Sequence, residues 1–488
     1  MTLLLAASLS SSTLIGYLAM RVFFPIYKPV WADLTLKICL GAGLGVGITS
    51  CQFFLTRLLL GPARIAAVTA ELVLVAATGL AFWFARDTLT VDRPDARPVG
   101  WWWLLLAAFL VSLAISVTLF ADSSAANPYG AWDAWSIWNL RARFLAQPDG
   151  SWSRAFSPAL NHIAGGGARH PEYPMLLSGY VARCWTLMGS IGGVAAPIAT
   201  AALFSGATLG LIVSALAILR GWSTAMAGGL ILLATTGFLT DGPWQYADVP
   251  LGFYYLAAFA SLFLADAESR RRARIVVVAG LAMGLAAWTK DEGLLFALLL
   301  SLAFLGYLVM AGDSGRSKTL RAFAAGAAAP VALVLWFRFF LAPPIATPVS
   351  VAGAAHQIAE GSRYAQIAMA FWREGVALGS GIAHSVISLL VLAACLGIPP
   401  DRRRQPVVIA SSIALLTTFV AYFFAYVITP MDLTWHLSTS LGRLYVQLWP
   451  SFIFLALTAL RSAEEVVRQV KPQEAVSVLS RKAKKRKS

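Results

Sequence analysis

Four short stretches of this chain carry the side-chain types from which a transfer site can be built. The first is Tyr129-Gly-Ala-Trp-Asp133-Ala-Trp-Ser-Ile-Trp-Asn-Leu-Arg141-Ala-Arg143, and the same polar segment closes with Arg169-His170-Pro-Glu172-Tyr-Pro174. A carboxylate such as Asp133 can take a proton from an attacking hydroxyl within hydrogen-bond reach. Arg141 and Arg143 can each grip a phosphate with two parallel N–H donors. The second stretch is Tyr246-Ala-Asp248-Val-Pro, the third Trp288-Thr-Lys290-Asp291-Glu292-Gly293. In the fourth, His436 and Arg443 are seven residues apart, two helical turns, so a helix puts them on one face. Each has a plainer role available. Trp132, Trp135 and Trp138 can anchor a segment at headgroup depth, and Asp248 can cap a helix with Pro250 in its first turn. Three consecutive charges at 290–292, however, exceed what a turn needs.

Apolar residues make up 58% of the chain and charged residues 12%, with a mean hydropathy of +0.71. A soluble domain carries roughly 25% charged residues, so the bilayer must be the solvent. Apolar runs lie near 3–20, 33–60, 64–85, 101–121, 194–219, 223–240, 247–265, 274–289, 293–312, 321–342, 378–398, 406–428 and 443–461. They are too long and too uniform for lipid-facing barrel strands, so the expectation is an all-α polytopic bundle of about thirteen spans. Residues 3–20 read as a retained span, without the basic flank of a signal peptide. Residues 173–190 are apolar but interrupted by Arg183, and are expected to lie as a helix in the interface. The four cysteines show no metal-ligand spacing, and no disulfide is expected.

The net charge is +15, but the excess is spread in short clusters between apolar runs and in the tail Arg481–Lys487. That is the distribution of cytoplasmic loops, not of a nucleic-acid surface; the tail can also meet anionic headgroups. Taking Arg270–Arg274, Arg316–Arg321, Arg402–Arg404 and the tail as inside puts 122–193, 241–247, 290–292, 343–377 and 429–442 outside. Asp133, His170, Glu172, Asp241, Asp248, Lys290, Asp291, Glu292, His436 and Arg443 then share the outer face.

In their order these motifs resemble the GT-C superfamily of polytopic glycosyltransferases, in particular bacterial enzymes akin to protein O-mannosyltransferases and to aminoarabinose transferases of lipid A. Asp133 matches the acidic residue of the first large outer loop. His170-Pro-Glu172-Tyr-Pro174 matches a Pro-rich helix entry, and Asp248 a second acidic motif. Thr289-Lys290-Asp-Glu-Gly293 matches the end of a small-residue helix, and Arg443 a late arginine. The resemblance covers residues 101–461 as a catalytic core with its outer loop at 122–193. Residues 1–100 would be accessory helices and 462–488 a basic cytoplasmic tail.

The resemblance implies a sugar donor on a polyprenyl phosphate and a lipid or glycan acceptor, with membrane lipids as surroundings. The location implied is the bacterial cytoplasmic (inner) membrane, with the site facing the periplasm or outside. Asp133 is the expected proton acceptor in an inverting displacement, with Arg141, Lys290 and Arg443 on the leaving phosphate. Arg143, His170, Glu172, Asp248, Glu292 and His436 are further substrate-binding candidates. A divalent cation (Mg or Mn) would be held by Asp133 and Asp248, though none is expected to be required. Two other readings remain open: a transporter or flippase of a lipid-linked or anionic substrate, and a ligase or polymerase of surface glycan. An enzyme of this kind should have Asp133 and Asp248 facing one another.

Overall fold

The computed structural model describes residues 2–92, 100, 102–162, 169–312, 315–345, 348–378, 384–403 and 405–467. The basic tail from 468 onward and Arg404 lie outside the described residues. The chain is an all-α polytopic membrane protein. Eleven helices among the described residues are long and apolar enough to cross a bilayer.

The chain opens with α1 (Thr2–Phe23), α2 (Val30–Leu60), α3 (Arg64–Ala85) and α4 (Trp102–Ala126). Two residues after α1, β1 (Ile26–Tyr27) pairs in parallel with β2 (Thr90–Val91). A polar segment follows, holding a π-helical turn at Ala134–Trp138, α5 (Asn139–Leu145) and α6 (Leu176–Met188). The next helices are α7 (Ala195–Arg220), α8 (Trp222–Leu233), α9 (Thr236–Asp241), α10 (Asp248–Ala267), α11 (Arg272–Thr289), α12 (Asp291–Met310) and α13 (Arg316–Phe340). The chain closes with α14 (Val351–Ala359), α15 (Gly361–Ala377), α16 (Ser385–Leu396), α17 (Pro400–Arg403), α18 (Pro406–Val427) and α19 (Leu433–Ala459).

Two of the thirteen apolar runs do not become full spans. The run 223–240 breaks at Thr235, whose hydroxyl donates to the Ile231 carbonyl and accepts from Trp449 Nε1 at 2.7 Å. Among its described residues the run 378–398 yields the twelve-residue α16, about 18 Å of helix against a hydrocarbon core of about 30 Å.

Helix α6 also differs from expectation. Its thirteen residues are too short to span, but it does not lie with one wet face. All but Leu187 are buried, and Arg183 points inward to Glu71 of α3, with its Nε donating to Glu71 Oε2 at 2.9 Å. Ser8 and Ser11 of α1 complete that shell. Arg183 interrupts the apolar pattern because it is half of a buried ion pair, not because it meets headgroups.

Close helix contacts rest on absent side chains. A Cβ on Gly280 of α11 would run into the Phe323 carbonyl of α13, and one on Gly326 into the Val277 carbonyl. Small residues let backbones meet this way inside membranes. Helix α2 packs along α7 and α10, where Tyr254 donates to the Gly43 carbonyl at 2.9 Å. Helix α2 therefore contributes to the same core as α7 and α10.

The helix ends sort into two polar layers. At one end Arg271 pairs with Asp87 at 2.6 Å, and Arg402 pairs with Glu465 at 2.6 Å. The other end gathers the four motif stretches.

Candidate active site

Asp133 starts the π-helical turn that precedes α5. Such turns widen a helix locally and recur at functional sites. The segment before it is pinned to the stretch leading into α10: Ala131 N donates to the Trp244 carbonyl at 3.2 Å. Gly130 has φ +74°, and a Cβ there would meet Ala134 and the Trp244 carbonyl. Gln245, itself at φ +61°, staples the two stretches. Its Oε1 accepts from Asn139 Nδ2 at 3.0 Å, and its Nε2 donates to the Pro128 carbonyl at 3.1 Å.

This staple brings Asp133 beside Tyr246 and Asp248, where Arg443 of α19 joins them. Arg443 Nη1 donates to Asp133 Oδ2 at 2.7 Å, and its Nε lies 3.6 Å from Asp248 Oδ2. The guanidinium also sits over the Tyr246 ring, 5.0 Å from the centroid. Asp133 and Asp248 thus face one another across a single arginine. Asp248, at the first position of α10, is 1% exposed. Its Oδ1 accepts from Lys290 Nζ at 3.1 Å and from Gln447 Nε2 at 2.6 Å.

Lys290 forms the extended link between α11 and α12, so its side chain is turned into the bundle. It lies 2.8 Å from Glu292 Oε1. Burial works against its charge, but the Asp248 and Glu292 carboxylates outweigh burial and raise its pKa. Gly293 permits the tight return of the chain, since a Cβ there would strike the Ala286 carbonyl. Asp291 turns the other way and pairs with Arg338 at the end of α13. Arg338 also donates to the Glu172 carbonyl at 3.3 Å.

The other candidates divide. His170 Nδ1 meets Glu172 Oε1 at 2.9 Å, and its ring stacks on Tyr173 at 4.4 Å and 9°. Glu172 is 2% exposed and its Oε2 has no hydrogen-bond partner. Burial favours its neutral form, but the His170 contact and the Arg141 charge outweigh it and hold its pKa below the usual value. His436 does share a face of α19 with Arg443, yet its Nδ1 meets Thr429 Oγ1 at 2.9 Å.

Two arginines expected at a phosphate are placed elsewhere. Arg141 is fully buried. Its Nε donates to the Ala155 carbonyl at 2.9 Å, and its Nη2 to the carbonyls of Pro171 (3.1 Å) and Tyr173 (2.6 Å). Those bonds shape the polar segment, the Nη1 is buried without a hydrogen-bond partner, and burial pushes the pKa down to about 9. Arg143 is exposed, beside Gly192. The charge centre is thus carried by Lys290 and Arg443.

Asp133 and Asp248 do not fit a shared divalent cation, because Arg443 bridges them. No cluster of three or more metal-ligating side chains occurs among the described residues.

Asp241, at the end of α9, is 5% exposed and its Oδ2 has no hydrogen-bond partner. Burial, followed by the neighbouring Asp248 charge, pushes its pKa up to about 7. An unfolded Asp titrates near 3.9, so the folded protein holds this proton across the window from about 4 to about 7. Stability from that proton is full below the window and is lost as pH rises through it. Thermal melts at pH 5 and pH 8 should show the wild type losing more stability between the two than Asp241→Asn. Equal losses would contradict the assignment.

No family model and no curated protein matches the chain. Two solved structures are similar to it, both of ArnT from Cupriavidus metallidurans. The apo structure is 18% identical over 72% of this chain and 59% of that one, with a TM-score of 0.43. The structure bound to undecaprenyl phosphate is 16% identical over 74% and 60%, with a TM-score of 0.41. The chain spans about three fifths of the length of those structures.

Proposed function

We propose that this protein is a glycosyltransferase that moves a sugar from a polyprenyl-phosphate donor to a lipid or glycan acceptor at the outer face of a bacterial inner membrane. One observation carries the reading: a carboxylate at the helix-end layer, Asp133, stands 2.7 Å from Arg443, with Lys290 reached through Asp248. A proton acceptor beside two cations suits displacement of a phosphate by a hydroxyl. Asp133 takes the proton of the acceptor hydroxyl as its oxygen attacks the anomeric carbon. The bond from that carbon to the phosphate oxygen breaks, and the electron pair leaves with the lipid phosphate. Arg443 and Lys290 stabilise that charge in a site with little water. Direct displacement inverts the anomeric centre.

Glu172 and Glu292 each present a buried oxygen without a partner. Both are suited to accept hydrogen bonds from sugar hydroxyls. The stacked His170 and Tyr173 rings form an adjoining flat wall.

The test supplies membranes containing the protein with labelled polyprenyl-phosphate sugars. The expected result is label in a new glycosidic bond, inverted at the anomeric carbon. Label that crosses sealed vesicles without forming that bond would establish the transporter reading instead.

A further inference from the structure

Six groups close a ring beside Arg443. Lys290 links Asp248 Oδ1 (3.1 Å) to Glu292 Oε1 (2.8 Å). The Glu292 backbone carbonyl accepts from the Tyr255 hydroxyl at 3.0 Å, and the Tyr255 and Tyr422 hydroxyls lie 3.1 Å apart. Tyr422 donates to Gln447 Oε1 at 2.6 Å, and Gln447 Nε2 donates back to Asp248 Oδ1 at 2.6 Å. Asp248 and Tyr255 come from α10, Glu292 from α12, Tyr422 from α18 and Gln447 from α19. Tyr255 and Gln447 are fully buried and Tyr422 is 2% exposed. Satisfied polar networks at such depth specify one arrangement.

The ring has a direction, and proton counting shows it. A glutamine amide can be turned end for end with little change of shape, so its neighbours decide which end donates. Turned over, Gln447 Oε1 would face the Asp248 carboxylate at 2.6 Å, acceptor against acceptor. In the observed sense that oxygen needs a donor of its own, and Tyr422 supplies it. The two tyrosines own two protons for three oxygen contacts. Tyr422 spends its proton on Gln447 and Tyr255 on the Glu292 carbonyl, leaving the 3.1 Å contact between the phenols without one. Sending the Tyr422 proton to Tyr255 instead would strip Gln447 Oε1 of its donor and leave a buried amide oxygen unsatisfied, weakening the hold on the amide that faces Asp248. The charge on Asp248 and the direction of the Tyr422 proton are thus one arrangement.

We propose that Tyr422 is a positioning residue of the transfer reaction, acting through Gln447 to hold the Asp248 carboxylate in place between Lys290 and Arg443. The proposal rests on the reading in which those two cations meet the donor phosphate. A phosphate that draws on Lys290 and Arg443 takes donation away from Asp248. The Gln447 amide, held in its donating sense, keeps that buried carboxylate satisfied while the cations are shared. Tyr422 is 2% exposed, and its hydroxyl meets Tyr255 and Gln447, not either cation. Its loss therefore leaves the cations for binding in place and loosens the arrangement needed as the bond breaks.

The experiment is Tyr422→Phe, which removes one oxygen and keeps the ring. Its kcat should fall on the order of tenfold, the equivalent of one charge-coupled hydrogen bond. The donor KM should stay within about twofold, because uniform binding is untouched. Gln447→Met, which keeps the length but not the amide, should lose a similar factor. The double variant should be no slower than Gln447→Met alone, since both changes cut one chain. Should Tyr422→Phe not accumulate in membranes, Gln447→Met carries the same split between kcat and KM.

A wild-type kcat in Tyr422→Phe overturns the proposal. So do losses that multiply in the double variant, or a rise in donor KM that accounts for the whole effect. A wild-type protein that binds polyprenyl phosphate but transfers no sugar overturns the functional reading and this proposal with it. An active wild type with an unaffected Tyr422→Phe overturns this proposal alone.

Discussion

Asp133→Asn is expected to lower sugar transfer by about 10²–10⁴-fold, the range that a positioned proton acceptor supplies. The substitution is nearly isosteric. The Asn oxygen can still accept from Arg443 Nη1, which lies 2.7 Å from Asp133 Oδ2 in the native protein, so the π-helical turn and its neighbours should stay in place. What is lost is the ability to take a proton. Donor affinity should hold or rise, because a negative charge near the phosphate has gone and Arg443 keeps only Asp248 as a charged partner. The two quantities separate in one preparation: labelled-sugar transfer gives the rate, and titration with polyprenyl phosphate gives binding. Full transfer by the variant would remove Asp133 from the proton-accepting role. A loss of binding equal to the loss of rate would make it a structural partner of Arg443 instead.

Much of this architecture is legible in the chain because hydropathy and charge report on the same property, depth in a bilayer. Eleven long runs became helices, and Arg443 touches Asp133 and Asp248, with Lys290 on the far side of Asp248. Periodicity also put His436 and Arg443 on one face. What it cannot show is direction of pointing. Arg141 and Arg443 look alike as isolated cations in polar surroundings, but Arg141 faces backbone carbonyls 14 to 32 residues onward, while Arg443 reaches a carboxylate 310 residues away. The residues of the ring beside Arg443 carry little sequence signal for a related reason. Tyr255, Tyr422 and Gln447 lie inside apolar runs, where one hydroxyl or amide barely changes hydropathy. Each acquires meaning only when four helices converge. Arg183 is the opposite case: its charge stands out in an apolar segment, but its partner Glu71 lies in a different run.

Arg443→Ala tests the centre most severely, because one side chain holds two carboxylates and, in the proposed reaction, the phosphate. Removing a partner from a buried ion pair costs roughly 3–5 kcal/mol. Arg443 is 19% exposed and Asp133 14%, so solvent relieves part of that, and the stability loss should sit at the low end. Asp248 suffers less than Asp133, since Lys290 and Gln447 still donate to it. A hydrogen bond to a charged group contributes about 1.5–3 kcal/mol, so donor affinity should weaken about 10–100-fold. Arg443→Lys separates the two effects. A lysine restores one positive charge but offers no planar fork able to meet two acceptors at once. It should recover most of the stability, by pairing with one carboxylate, and little of the affinity. Thermal melts and lipid-phosphate titrations on the two variants read these outcomes independently. Unchanged donor affinity in Arg443→Ala would sink the phosphate contact, leaving Arg443 as a clamp that positions Asp133 and Asp248. Affinity restored in full by lysine would mean that charge alone, not the fork, meets the donor.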